Sequence, residues 1–199
     1  MGPGLAPLTN LASAFRQLLA ILDRLEIPFL VAGSVASGSY GLPRQTNDID
    51  VVADFSRSDL AAFCELLEKD FYVNRQTVQE AVRLGRPFNA IHLKGAFKFD
   101  FFPAASDLAR SELARRQYIV STVAGLENLE FPVATPEDTI LAKLQWYRQG
   151  GELSEHQWRD VLGVLQVQAG RLDLAYLRTW ATRLRITDLL DRALDRAAH

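Results

Sequence analysis

Asp48-Ile49-Asp50-Val51-Val52 reads as a β-strand that carries two carboxylates. Residues two apart on a strand project from the same face, so Asp48 and Asp50 stand side by side. Their like charges repel and raise each other's pKa. A dication removes that penalty, and hard carboxylate oxygens suit Mg²⁺. Upstream, the apolar run Phe29-Leu30-Val31-Ala32 enters a Gly33-Ser34 corner. A short helical stretch to Tyr40 follows, then the loop Gly41-Leu42-Pro43-Arg44-Gln45-Thr46-Asn47. The order is strand, Gly-Ser corner, helix, loop with Arg and Thr, then the acidic strand.

A third acid stands in Phe97-Lys98-Phe99-Asp100-Phe101-Phe102. On a strand, Phe97, Phe99 and Phe101 face one way, and Lys98, Asp100 and Phe102 the other. An acid among aromatics on an apolar strand needs a partner. A metal, a cation such as Lys98 or Arg110, or a catalytic role would each serve. If this strand lies beside Asp48–Ala53, three carboxylates converge. Two metal ions held in that way stabilise the attacking and leaving oxygens of an in-line phosphoryl displacement.

Around these motifs the pattern predicts an α+β protein with a mixed, mostly antiparallel sheet, flanking helices and a helical C-terminal portion. Thr9 is the expected cap of a helix to about Leu25, with Leu11, Phe15, Leu18, Leu19 and Leu22 on one stripe. Ser56 or Ser58 is expected to cap a helix to Lys69. Residues 71–73, 89–93, 97–102, 118–122 and 129–133 read as further strands, with Lys94-Gly95-Ala96 as a hairpin turn. Helices are expected over about 76–84 and from the Ser106 cap to Arg116. Thr135-Pro136-Glu137-Asp138 is a helix start, with a cap, Pro at the first helical position and acids in the first turn. That boundary divides the chain into a core over 1–133 and a helical portion over 134–199 that completes the site.

Bulk properties narrow the function classes. Net charge is −2, which gives no sign of a nucleic-acid coat. The single cysteine, Cys64, rules out a disulfide framework within the chain and reads as a small buried hydrophobe. No apolar run is long enough to span a bilayer, and Met1-Gly2-Pro3-Gly4 lacks the regions of a signal peptide. The expectation is a soluble, cytoplasmic protein with no membrane partner.

Gly33-Ser34, Arg44-Gln45-Thr46 and Asp48-Ile49-Asp50, with Asp100 on a later strand, resemble the polymerase-β-type nucleotidyltransferase superfamily. Within it, the Arg-x-Thr-x-Asp-Ile-Asp form is similar to the AbiEii/MenT-like group of bacterial nucleotidyltransferase toxins and related uncharacterised families. The helix with Pro136, Glu137, Asp138 and Lys143, and then Asp160, is similar to that group too. The resemblance covers about residues 27–165. It implies Mg²⁺, as two ions, and an NTP such as ATP. Asp48 and Asp50 would bind the metals that grip the triphosphate. Asp100 would bind the catalytic metal and help deprotonate the acceptor hydroxyl. Gly33 and Ser34 would approach the phosphates, Lys143 would reach the triphosphate, and Arg44, with Thr46 beside it in the motif, would contact phosphate or pin the loop. Asp160 matches a trailing acid. The implied reaction moves an NMP from an NTP to a hydroxyl of RNA such as tRNA, of a protein or of a small molecule. A cognate antitoxin or toxin partner goes with the toxin setting. The chain after Asp160 is poor in Arg until Arg171, so a compact acceptor or one end of a tRNA suits it better than a long RNA.

Plainer readings stand beside each assignment. Asp48 could be a turn acid and Asp50 a solvent-facing strand residue. Gly33-Ser34 could be an ordinary corner with Ser34 as a cap, and Arg44 and Thr46 plain loop ties. Lys143 could lay its stem over Leu141, Leu144 and Trp146 with its charge in water. Asp160 could be a helix-surface acid, and Arg115-Arg116 a solvated helix end. His92 and His156 read as structural, because no second His or Cys stands at metal spacing. Two rival functions remain: a catalytically inactive nucleotide- or protein-binding member of the same fold, antitoxin-like, and a two-metal nuclease, which explains Gly33-Ser34 poorly.

Overall fold

The computed structural model describes residues 10–42, 46, 48–56 and 59–198. Along the chain it has α1 (Leu11–Arg24), β1 (Phe29–Val31), α2 (Gly33–Tyr40), β2 (Asp48–Ala53), α3 (Leu60–Leu67), β3 (Phe71–Tyr72), α4 (Arg75–Leu84), β4 (Phe88–His92), β5 (Lys98–Pro103) and α5 (Asp107–Arg115). Then come β6 (Gln117–Val120), β7 (Glu130–Val133), α6 (Pro136–Gln149), α7 (Glu155–Val167), α8 (Leu174–Leu184) and α9 (Thr187–Ala197).

The strands form one mixed sheet of order β3-β4-β5-β2-β1-β7-β6. Neighbours β3/β4, β4/β5, β2/β1 and β7/β6 are antiparallel. The two parallel pairs, β5/β2 and β1/β7, flank the antiparallel β2/β1 pair at the centre. This is the mixed, mostly antiparallel α+β sheet expected from the pattern.

Strand alternation decides which side of the sheet is core. Ile49, Val51 and Ala53 of β2, with Phe99 and Phe101 of β5, are fully buried in one apolar cluster with Phe15, Leu18 and Leu22 of α1. Each of these side chains larger than Ala53 contributes on the order of 1.5–3 kcal/mol by leaving water. Phe15 meets Phe131 edge-on at 5.0 Å, and Phe88 stacks on Phe101 at 4.9 Å. The opposite face carries a smaller patch, Leu30, Val52, Leu113 and Ala134, and leaves room there for polar side chains. The C-terminal helices bury a separate cluster around Ile140, Leu144, Val161, Leu177, Trp180 and Leu190, which Leu108 of α5 joins.

Several boundaries differ from the sequence reading. Thr9 lies outside the described residues, and Asn10 caps α1, its side chain accepting from the Ser13 N–H at 2.8 Å. For α3, Ser58 also lies outside them. Asp59 is the cap, accepting from the amides of Ala61 and Ala62. An acidic side chain at a helix N-terminus also complements the helix dipole. The Ser106 and Thr135 caps form as expected. Cys64 is buried. Among the described residues no helix is long and apolar enough to cross a membrane.

Candidate active site

Strands β2 and β5 lie side by side and parallel, with Asp50 opposite Asp100 and Asp48 opposite Lys98. Because the register is even, all four side chains leave the sheet on the face away from the aromatic core. Asp48, Asp50 and Asp100 line one cavity of about 770 Å³. That size is typical of sites for small ligands.

Gly33 begins α2 with φ +58°, a backbone region that L side chains rarely adopt. A Cβ there would fall 1.7 Å from Oδ2 of Asp50. The glycine thus lets the corner after β1 close against the carboxylate. The N-cap, Ala32, offers no side-chain acceptor to the first turn of α2. Ser34 is buried and also lines the cavity. Its hydroxyl donates to Thr46 Oγ1 at 2.9 Å, and Thr46 donates to the Asp48 carbonyl at 2.9 Å. The Gly-Ser corner is therefore tied through Thr46 to the start of β2, with Ser34 and Thr46 both lining the cavity. Arg44 lies outside the described residues.

Electrostatics follow the crowding of acids. Burial, then the neighbouring Asp100, pushes the Asp50 carboxyl up to about 6, while Lys143 pulls it back. Lys98 reaches along its own strand to place Nζ 2.6 Å from Asp100 Oδ2, and that hydrogen bond raises the ammonium above its ordinary range. One of the partners open to Asp100 from the sequence is thus made. Among the described residues, no three Asp, Glu, His or Cys side chains are gathered closely enough to hold an ion as they stand. The donor set nevertheless has the chemistry a hard divalent cation takes: carboxylate oxygens on one rim, with Asp50 destabilised as an anion by burial and then by Asp100.

Lys143 corrects a plainer expectation. Its charge is not in water: the residue is 5% exposed, and Nζ sits 2.8 Å from Asp160 Oδ2 and 3.2 Å from Gln157 Oε1. Asp160 is likewise no surface acid. Its side chain is 8% exposed, and Ser37 Oγ donates to it at 3.3 Å. The pair joins α6, α7 and α2 under the cavity floor, with Lys143 and Gln157 reaching the lining.

Arg115 is not a solvated helix end either. It pairs with Glu137 at 3.1 Å and Asp138 at 3.3 Å, and stacks over Tyr176 at 3.7 Å. Thr135 and Tyr176 both donate to Asp138, so the start of α6 is anchored by a satisfied polar network. His92 is structural, as expected: Nδ1 accepts from the Gly95 amide and Nε2 meets Gln17. Sequence reasoning missed Glu112 and Thr139, both buried and both lining the cavity. The signal for Glu112 was its place four residues after Leu108 on the inward stripe of α5.

No family model matches the chain, and no curated protein matches it in sequence. Solved structures do. The chain is similar to the antibiotic-resistance factor ANT(2'')-Ia in its solution structure, with TM-score 0.54 and 15% identity over 91% of this chain and 95% of that one. It is similar to the lincosamide antibiotic adenylyltransferase LnuA, lincomycin-bound, with TM-score 0.51 and 13% identity over 80% of this chain and 99% of that one. It is similar also to ANT(2'')-Ia in complex with adenylyl-2''-tobramycin, with TM-score 0.51 and 15% identity over 87% and 96%. The class the architecture defines is the nucleotidyltransferase fold.

Proposed function

We infer that this chain moves a nucleoside monophosphate from an NTP to a hydroxyl acceptor and releases pyrophosphate. One observation carries the reading: Asp50 and Asp100 stand opposite each other on parallel strands, with Gly33 against the Asp50 carboxylate and a cavity before them.

Asp48, Asp50 and Asp100 would hold Mg²⁺, as one or two ions. When bound, the metal supplies charge neutralisation at the phosphates. The chain's own groups do the rest. The open amides at the start of α2, with Gly33 allowing close approach, receive the phosphate oxygens. Lys143, held by Asp160, keeps a positive charge at the cavity floor. Ser34 and Thr46 fix the corner. Asp100 accepts the proton of the acceptor hydroxyl as its oxygen bonds to the α-phosphorus and the bond to the bridging oxygen of pyrophosphate breaks. Most of the rate comes from positioning and charge complementarity.

The acceptor follows from less. ANT(2'')-Ia and LnuA are described as an antibiotic-resistance factor and an antibiotic adenylyltransferase. A small hydroxylated molecule is accordingly one acceptor class. The sequence resemblance to AbiEii/MenT-like toxins supports another, tRNA or a protein, with an antitoxin partner. The Lys98–Asp100 ion pair favours a second reading, a member that binds nucleotide without turning it over.

Incubation with Mg²⁺, each labelled NTP, and cellular RNA, lysate or a panel of aminoglycosides and lincosamides tests the first reading. Pyrophosphate release that is lost in Asp48→Ala and Asp50→Ala supports it. A nucleotide-dependent rise in melting temperature with no pyrophosphate from any mixture supports the binding member instead.

A further inference from the structure

We propose that Glu112 and Thr139 form the base-reading end of this cavity, where a neutral nucleobase edge is hydrogen-bonded between α5 and α6. The proposal rests on the nucleotide-transfer reading and names which part of the nucleotide this end takes.

Glu112 is 5% exposed and lines the cavity. Among the described residues no hydrogen bond or ion pair reaches its carboxyl group. Thr139 lines the same cavity, and its Oγ1 is buried with no partner among the described residues. A helical threonine commonly bonds back to the carbonyl four residues before it, and this one does not. The buried Thr139 hydroxyl without a partner is costly unless something completes it, and the mostly buried Glu112 carboxyl opens on the same cavity.

The surroundings favour a flat, uncharged occupant. Leu108, Ala109 and Ala142 supply apolar wall, and Trp146 meets Phe102 edge-on at 5.8 Å, both rings lining the cavity. Burial pushes the Glu112 carboxyl up to about 8, with Asp138 adding to it. The group is therefore a neutral acid at pH 7, both donor and acceptor. That pattern complements the ring nitrogen and exocyclic amine of a base edge. On the nucleotide-transfer reading the phosphate end is at Gly33, Ser34, Asp48, Asp50 and Asp100, which line the same cavity.

The experiment measures binding of the four NTPs, as non-hydrolysable α,β-methylene analogues with Mg²⁺, and of inorganic tripolyphosphate as the base-free probe. Wild type is expected to prefer one base by about tenfold or more. Glu112→Leu and Thr139→Val are each expected to weaken that NTP about tenfold and leave tripolyphosphate unchanged. Glu112→Gln keeps a neutral donor and acceptor, so it is expected to stay within about threefold of wild type. A Glu112→Leu protein that melts normally and keeps the base preference overturns the proposal. So does a Glu112→Gln protein as weak as Glu112→Leu, because the group would then act as a carboxylate toward a cation. Tripolyphosphate binding without any base preference sinks this proposal alone. No binding of either probe sinks the nucleotide reading and this proposal with it.

Discussion

Gly33 and Asp50 are packed so closely that the glycine's missing methyl would occupy the place of Oδ2, 1.7 Å away. Two demands therefore fall on one position, a left-handed backbone at φ +58° and no side chain. Gly33→Ala is expected to cost about 1–3 kcal/mol in urea unfolding. It should also reduce pyrophosphate release on the order of 100-fold, because the carboxylate must move. A variant that melts normally and turns over normally would separate the corner from the site.

Lys98 competes with any cation for Asp100. Their ion pair is partly exposed, with 40% and 21% of the side chains accessible, so its own stability contribution is small. Lys98→Met is expected to change stability by less than about 1 kcal/mol. It should tighten Mn²⁺ binding, read by calorimetry, by roughly tenfold as the opposing charge is removed. Unchanged Mn²⁺ affinity would mean that the pair and the cation do not share Asp100.

Lys143 and Asp160 are a buried pair, 6% and 8% exposed at the side chain. Removing one partner strands the other. Asp160→Leu alone and Lys143→Met alone are each expected to lose about 3–5 kcal/mol by chemical denaturation. Lys143→Met combined with Asp160→Leu should recover much of that loss, since neither charge remains. Strict additivity in this double-mutant cycle would show that the two side chains do not interact.

Glu112 sets a pH dependence of stability. Its carboxyl rises from 4.5 to about 8 on folding. Because the raised group is an acid, the folded state holds the proton more tightly. Stability is then full below the unfolded value and falls as pH climbs through the window up to about 8. Glu112→Gln removes this slope. It is expected to gain on the order of 3 kcal/mol over wild type at pH 7 relative to pH 4. Parallel stability curves for the two proteins would contradict the assignment.

Much of the site was legible because strand periodicity is simple. The alternation in β2 and β5 placed Asp48, Asp50 and Asp100 on the face opposite Phe99 and Phe101, and the folded register agrees. The Thr135 cap and Pro136 marked the start of α6 for a local reason, since caps act within one turn. What stayed hidden depends on contacts across the fold. Asp160 reads locally as a surface acid beside Arg159. Its partner Lys143 comes from another helix, and its depth from three helices meeting. Arg115 likewise gains Glu137, Asp138 and Tyr176 only when α5, α6 and α8 pack. The caps at Asn10 and Asp59 sat next to the expected residues, where several adjacent side chains could each accept an amide. Glu112 was missed because a glutamate on a helix usually faces solvent, and only its inward stripe argued otherwise.

The parallel pairing of β2 with β5 also bears on how the protein comes into being. Between the two strands the chain makes α3, β3, α4 and β4. A growing polypeptide that has emerged only as far as β4 carries Asp48 and Asp50 without their counterpart. The half-built face lacks its third acid until a distant stretch threads in beside it. The three acids therefore reach one face only once β5 has inserted between β4 and β2, before β6 and β7 extend the sheet.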